Sequence, residues 1–257
     1  MSLEPPYGIC YNFRINYSCK SRITEKSINE KIETSSGKCG IENFMNFRYG
    51  KKEIEHLKSR DRRLGEVIGQ IGRIRWTVEP DLFAAIVQNI VSQQISGKAA
   101  ESILARVDEL LGEITPKSVA KTDIQAFRTC GVSQRKAEYI KDFAAKVMSG
   151  ELDLDAVAKM PDAEVIAALS SLRGIGVWTA EMLLLFTLQR QDVLSYGDLG
   201  IHRGMRMVYR HRKITKKLFA KYRRRLSPYG SVASLYFWMV AGGAIPGLAD
   251  PADGKRK

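Results

Sequence analysis

No stretch of this chain alternates apolar and polar residues for long enough to demand a strand, and that constrains the fold more than any motif. What recurs instead is apolar residues three and four apart. KKEIEHLKSRDRRLGEVIGQIG reads as one helix with Ile54, Leu57, Leu64, Val67, Ile68 and Ile71 on a single face. Pro80 and Asp81 open a long apolar helix, DLFAAIVQNIVSQQIS. GKAAESILARVDELLG, DIQAFRTCG, SQRKAEYIKDFAAKVMSG and PDAEVIAALSSL continue the series. Gly112, Gly131 and Gly150 stand where helix C-caps belong. Ser96, Asp123, Ser133 and Asp162 suit N-caps or first-turn acids. The expectation is an all-α body of roughly ten short helices with little or no β-sheet.

The 257 residues are one large domain or two small ones. Residues 1–43 are rich in Ser, Asn, Lys and Ile and show no sustained periodicity, so they read as an irregular or loosely ordered N-terminal extension. Residues 44–245 form the helical core and 246–257 a C-terminal tail. Three of the four cysteines, Cys10, Cys19 and Cys39, fall in the extension, and Cys130 stands alone in the body. That distribution excludes a four-cysteine cluster in the body and reads as free thiols in a reducing cytosol. The apolar runs fall short of the roughly 18 residues a membrane span needs, and the first residues lack the apolar stretch of a signal peptide. The expected location is the cytoplasm, on the nucleoid if the source is bacterial.

One stretch stands apart: LSSLRGIGVWTAEMLLLF. A helix ends near Leu172, Gly174-Ile175-Gly176 turns the chain, and a new helix begins near Trp178. Two glycines in such a turn let the backbone approach a ligand with its N–H groups free. The helix start adds unpaired donors and the positive dipole end, which together suit one phosphate. A plain helix–helix turn is the alternative. Downstream, LSYGDLGIHRGM places Asp198 between two glycines, 22 residues past Gly176. By itself Asp198 reads equally well as the N-cap of the helix IHRGMRMVY.

Taken together, Leu-x-Gly-Ile-Gly-x-x-Thr-Ala, the Gly-rich loop and an Asp at that distance resemble the helix-hairpin-helix/Gly-Pro-Asp superfamily of DNA glycosylases, over about residues 44–245. The likeness is greatest to the 3-methyladenine DNA glycosylase II type. The loop here is Tyr196-Gly197-Asp198, without the proline of the family's name. The resemblance implies two helical lobes with an active site in the cleft between them. It implies Asp198 at the catalytic centre and Gly174, Ile175, Gly176 and Thr179 on the DNA backbone. It also implies a base pocket walled by Trp178 and Trp238, with Met182 beside them. The helix IVQNIVSQQISGKAA resembles the one that carries the duplex-probing wedge, with Gln94, or its neighbour Gln93, at the tip. Main-chain carbonyls of Ser170, Leu172 and Ile175 match positions that hold a monovalent cation (Na+ or K+) in the superfamily. Trp76 lies outside these motifs and reads as packing.

Bifunctional members of the superfamily carry a lysine two residues after the second hairpin glycine, as the nucleophile of a Schiff base. Trp178 occupies that position and cannot form an imine. Beyond Cys130 the chain has no cysteine, so it cannot hold a C-terminal iron–sulfur cluster. The expectation is a monofunctional enzyme that needs no redox or organic cofactor and excises alkylated purines such as 3-methyladenine and 7-methylguanine. Electron-poor alkylated bases are drawn to aromatic walls.

Charge supports a polyanionic partner. Lys and Arg number 41 against 28 Asp and Glu, a net +13. From His202 to Leu226 there are eleven Lys and Arg and no acid. Solvated faces normally mix signs, so this stretch reads as a phosphate-contacting surface, with Arg203 and Arg206 nearest Asp198. Met205, Val208, Leu218 and Tyr222 interleave as its core-facing set. His202 and His211 read as phosphate contacts or surface. The expected partner is damaged duplex DNA, bound by a monomer and away from membranes. Two other readings remain: the same fold acting on uracil, hypoxanthine or 8-oxoguanine, and a non-catalytic damage-binding protein with no use for Asp198.

Overall fold

The computed structural model describes residues 45–253. The N-terminal extension, its three cysteines and the last four residues of the tail lie outside the described residues. The architecture is all-α. One antiparallel pair of two-residue strands, β1 (Met45–Asn46) and β2 (Thr77–Val78), aligns Met45 with Val78 and Asn46 with Thr77.

Thirteen helices follow one another among the described residues. They are α1 (Lys51–Arg60), α2 (Arg62–Ile71), α3 (Leu82–Ser92), α4 (Gly97–Leu111), α5 (Pro116–Lys121), α6 (Ile124–Thr129) and α7 (Gln134–Ser149). Then come α8 (Leu154–Lys159), α9 (Asp162–Ser170), α10 (Val177–Phe186), α11 (Leu199–Tyr209), α12 (Lys216–Leu226) and α13 (Gly230–Ala241). The expected caps are in place. Asp81, Ser96, Asp123 and Ser133 each accept a bond from a first-turn amide, and Asp162 sits in the first turn of α9 behind Pro161. Gly112 and Gly150 terminate α4 and α7 with positive φ.

Two corrections concern helix bounds. The segment read as one helix over 51–72 is two. Asp61 takes an extended conformation, accepts the Leu64 amide at 3.0 Å and starts α2. Its carboxylate is buried and also accepts from Arg225 Nη1 at 2.8 Å and the Tyr209 hydroxyl at 3.1 Å. A partnered buried charge outranks helix continuity here, because an unpaired one costs several kcal/mol, on the order of 3–5. The second correction is that α3 stops at Ser92, so Gln93 and Gln94 lie in the turn after it rather than on the helix. That break and the six-residue helices α5 and α8, which local periodicity is too short to reveal, account for the excess over ten.

Helices α3–α7 pack among themselves in one lobe, with α5 and α6 on α7 and α3 on α4 and α7, and α8 packs on α9. The other lobe joins the N-terminal pair α1–α2 to α11–α13, with α11 laid along α13. Helix α10 lies against α9 and α3. The apolar core runs through both lobes and includes Leu57, Leu64, Ile86, Ile140, Leu183 and Phe237, all fully buried. Two glycines on α11 set its distance from α13. A Cβ on Gly204 would meet the Phe237 carbonyl oxygen at 2.2 Å, and one on Gly200 would meet Trp238 Cδ1 at 2.8 Å. Only glycine permits that approach.

Candidate active site

Asp198 is buried at the N-cap of α11, where its Oδ1 accepts the Ile201 amide at 2.7 Å. The capping role and the functional one therefore fall on the same carboxylate. The two predicted tryptophans converge on it. Trp178 Nε1, from the first turn of α10, donates to Oδ2 at 2.8 Å. Trp238 Nε1, from the middle of α13, donates to Oδ1 at 3.0 Å. A carboxylate offers about four lone-pair sites, so three donors leave room for about one further partner such as a water. The group is fixed from two helices besides its own.

Trp238 is itself held. Phe186 stacks on it at 5.6 Å between centroids and Trp76 lies 5.7 Å away, with Trp76 stacked on Phe186 at 5.5 Å. Trp76 is thus packing, as expected, but its packing is against the tryptophan that grips Asp198. Trp178 is half-buried, while Met182 one turn along α10 is wholly within the core.

The hairpin leading into α10 has Gly174 at φ +88°, and a Cβ there would strike Tyr139 at 2.6 Å. Gly176 caps α10 without any side-chain bond, so among the described residues the first-turn amides of Val177, Trp178 and Thr179 have no side-chain acceptor. Val177 is exposed at this end, whereas Thr179 and Ile175 are buried. The Leu172 carbonyl accepts the Ile175 amide at 3.1 Å, and the Ser170 hydroxyl is buried without a partner among the described residues.

The two candidate wedge glutamines are placed differently. Gln93 turns inward and donates Nε2 to the Gly174 carbonyl at 2.7 Å. Gln94 is exposed, with its backbone at φ +56° in the left-handed region. Lys136 braces this turn from α7 by donating to the carbonyls of Val91 at 2.8 Å and Gln93 at 2.7 Å. Burial, with help from the neighbouring Arg135 charge, pushes the Lys136 ammonium down from its usual range.

The basic stretch divides. Arg206 grips the buried Asp250 carboxylate through both Nε, at 2.9 Å, and Nη2. Arg203 adds ion pairs to Asp250 at 4.0 Å and Asp253 at 3.5 Å. These arginines pin the tail across α11. Arg223 pairs with Asp192 and Arg225 with Asp61. Arg210, Arg212, Lys213, Lys216, Lys217, Lys221 and Arg224 are the exposed members. Met205, Val208 and Tyr222 are buried and Leu218 packs partly against the core. His211 bonds the Tyr222 hydroxyl at 2.7 Å. His202 is half-buried between Tyr196 and Phe219, and burial pushes its imidazole below the usual range.

Three features escaped the sequence reading. Glu181 and Ser195 are hydrogen-bonded beside the centre. Asp250 carries no local signal, since its partner lies 44 residues away. Gly200 and Gly204 did carry one: two small residues four apart on a helix that needs a close neighbour.

Residues 87–228 match the model of the HhH-GPD superfamily base excision DNA repair protein. The chain is 33% identical over 199 residues to DNA-3-methyladenine glycosylase 1 of Schizosaccharomyces pombe, covering 74% of this chain and 87% of that protein. Its fold is similar to that of a Bacillus halodurans DNA-3-methyladenine glycosidase crystal structure, with TM-score 0.70, 37% identity, and 78% and 94% of the two chains covered. It is also similar to the S. pombe 3-methyladenine DNA glycosylase in complex with abasic DNA, with TM-score 0.65, 29% identity, and 74% and 97% covered. By family model, sequence relatives and fold alike, the chain belongs to the HhH-GPD superfamily of base excision DNA repair proteins.

Proposed function

We propose that this protein is a monofunctional DNA glycosylase that releases alkylated purines from duplex DNA. The observation that carries the proposal is the Asp198 carboxylate clamped between the indoles of Trp178 and Trp238, next to a hairpin whose helix start has no side-chain cap. Relatives named for 3-methyladenine excision support the same lesion class.

A base inside a duplex must be extruded before its glycosidic bond is reachable. Gln94 would fill the gap, a reading that its exposure in a braced turn supports. The amides of Val177, Trp178 and Thr179 offer donors to one phosphate. The exposed lysines and arginines of α12 and the segment before it supply longer-range phosphate attraction. Arg203 and Arg206 serve mainly to hold the tail, and any phosphate contact they make is shared with Asp250 and Asp253. Carbonyls at Ser170, Leu172 and Ile175 would hold a monovalent cation that stiffens the hairpin.

Ring alkylation already makes the base a good leaving group, so the protein's task is to stabilise the oxocarbenium-like sugar. A fixed negative carboxylate does this without reorganisation. The remaining lone pair of Asp198 orients the water that attacks C1′. Trp178 in place of a lysine leaves no amine for strand cleavage.

The test is base release from duplex DNA treated with a methylating agent, followed by strand analysis with and without hot alkali. Release of 3-methyladenine or 7-methylguanine with breaks only after alkali is expected. Asp198→Asn should abolish release and leave duplex binding intact. No release from methylated DNA, with release from another lesion, moves the substrate class. No release from any lesion leaves a damage-binding protein.

A further inference from the structure

Helix α10 and the loop before α11 are joined twice. One link is Trp178 to Asp198. The other lies one turn further along α10, where Glu181 Oε2 accepts a hydrogen bond from the hydroxyl of Ser195. Ser195 is fully buried, three residues before Asp198, and Glu181 is three residues after Trp178. The two links therefore run side by side and bracket Tyr196 and Gly197, both exposed. We propose that Glu181, acting through Ser195, is a positioning residue that sets the register of the Asp198 loop against α10. The inference rests on the reading of Asp198 given above.

The choice of a carboxylate is informative. Burial pushes the Glu181 carboxyl up, the Ser195 bond draws it back, the charge of Asp198 adds to the rise, and Arg223 opposes it. A glutamine would accept the same Ser195 bond and avoid both penalties. What a carboxylate adds is a charge-assisted bond, shorter and roughly twice as strong as a neutral one. Such a bond holds the loop with less play. Tolerance at a reacting centre is small: a misplacement of about 1 Å costs on the order of 100-fold in rate. Ser195 cannot turn elsewhere, because it is enclosed.

The groups facing Glu181 are Asp198 at the start of α11, Ser195 in the loop and Arg223 on α12. As pH falls and Glu181 takes a proton, the charge-assisted bond is lost. Excision by the wild type should therefore fall on the acid side with a midpoint above the ordinary glutamate value of about 4.3.

Single-turnover excision from methylated duplex, and affinity for a duplex carrying an abasic analogue, should be measured across pH for the full chain. The variants are Glu181→Ala, Ser195→Ala, the double variant, and Glu181→Gln. Both alanine variants should lose roughly 10- to 100-fold in rate with affinity unchanged. The double variant should be no slower than either, since one link is broken once. Glu181→Gln should retain more rate than Glu181→Ala and move the acid midpoint down, since only the protonation of Asp198 itself then remains. Wild-type rates in both alanine variants, losses that multiply in the double variant, or an acid midpoint unmoved in Glu181→Gln would each overturn the proposal. If the wild type releases no base, the reading of Asp198 fails instead. Tryptophan emission of the free protein then decides the latch, because Trp178 shares the clamp. A common shift in Glu181→Ala and Ser195→Ala supports the latch, and unshifted emission overturns it. Should Ser195→Ala fail to fold, the two Glu181 variants, at a half-buried site, carry the test.

Discussion

Gly204→Ala is the sharpest single test of how this site is assembled. The new Cβ would sit 2.2 Å from the Phe237 carbonyl oxygen and 2.7 Å from its Cα. An ordinary carbon–oxygen contact needs more than 3 Å, so α11 and α13 must part by about 1 Å, because neither side of the clash is a flexible side chain. Overpacking of this kind costs typically 1–3 kcal/mol, and a backbone clash puts the expectation near the top, about 3 kcal/mol. For a domain of this size that lowers Tm by roughly 6–12 °C. The larger effect should be on activity. Trp238 follows Phe237 and donates to Asp198 at 3.0 Å, so moving α13 stretches that bond and shifts the carboxylate. A displacement near 1 Å predicts a loss of on the order of 100-fold in single-turnover excision. The assays are thermal unfolding and excision well below the variant's Tm, where the chain is folded. A variant with wild-type Tm and wild-type rate would show that the helices separate freely, and the close-approach argument would fall.

Other outcomes follow from the same contacts. Trp178→Phe keeps an aromatic wall but removes a donor to Asp198. A hydrogen bond to a charged group contributes about 1.5–3 kcal/mol, so excision should drop roughly 10- to 100-fold while duplex affinity holds. Arg206→Ala leaves the buried Asp250 carboxylate with only the Ala252 amide and the Arg203 ion pair at 4.0 Å, and should lower stability by about 1–3 kcal/mol, read as Tm, rather than only weakening DNA binding. In the wild type, burial raises the Asp250 carboxyl, but the Arg206 hydrogen bond and its companions more than reverse this, so the folded value is depressed. The stability it contributes is therefore full above the ordinary aspartate pKa of about 3.9 and drains away as pH falls through the folded value; Arg206→Ala should flatten that acid limb in thermal unfolding scans. Lys216→Ala with Lys217→Ala should reduce the salt slope of duplex binding by about 2, with excision from the saturated complex unchanged.

Much of the architecture was legible from local chemistry. Asp81, Ser96, Asp123 and Ser133 cap the helices they precede because a short side-chain oxygen can reach a first-turn amide whatever lies around it. Gly112 and Gly150 end helices because only glycine enters positive φ without strain. Trp178, Asp198 and Trp238 were singled out by the family resemblance, which the hairpin motif and the Gly-rich loop carry. Their meeting on one carboxylate was not. It depends on α11 and α13 touching through Gly200 and Gly204, two segments of the chain brought together only by the fold.

Where sequence failed, a distant partner overruled a local pattern. Apolar spacing over 51–72 describes one helix, and nothing nearby says that Asp61 must bend out to meet Arg225 and Tyr209. The basic run from Arg203 to Arg225 records charge but not its use. Tertiary contacts assign Arg203 and Arg206 to Asp250, Arg223 to Asp192 and Arg225 to Asp61, and leave the remainder exposed. Glu181 carries no local signal on its apolar helix, because its partner Ser195 lies in the loop beyond that helix. Sequence alone thus determined the helical class, the hairpin turn and the Asp198 cap, since each follows from interactions within a few residues, and family resemblance singled out Asp198 as the candidate central carboxylate. The tertiary structure decided which charges are free and which groups hold that carboxylate. A buried charge is satisfied by whatever the fold brings within about 3 Å, at any separation along the chain.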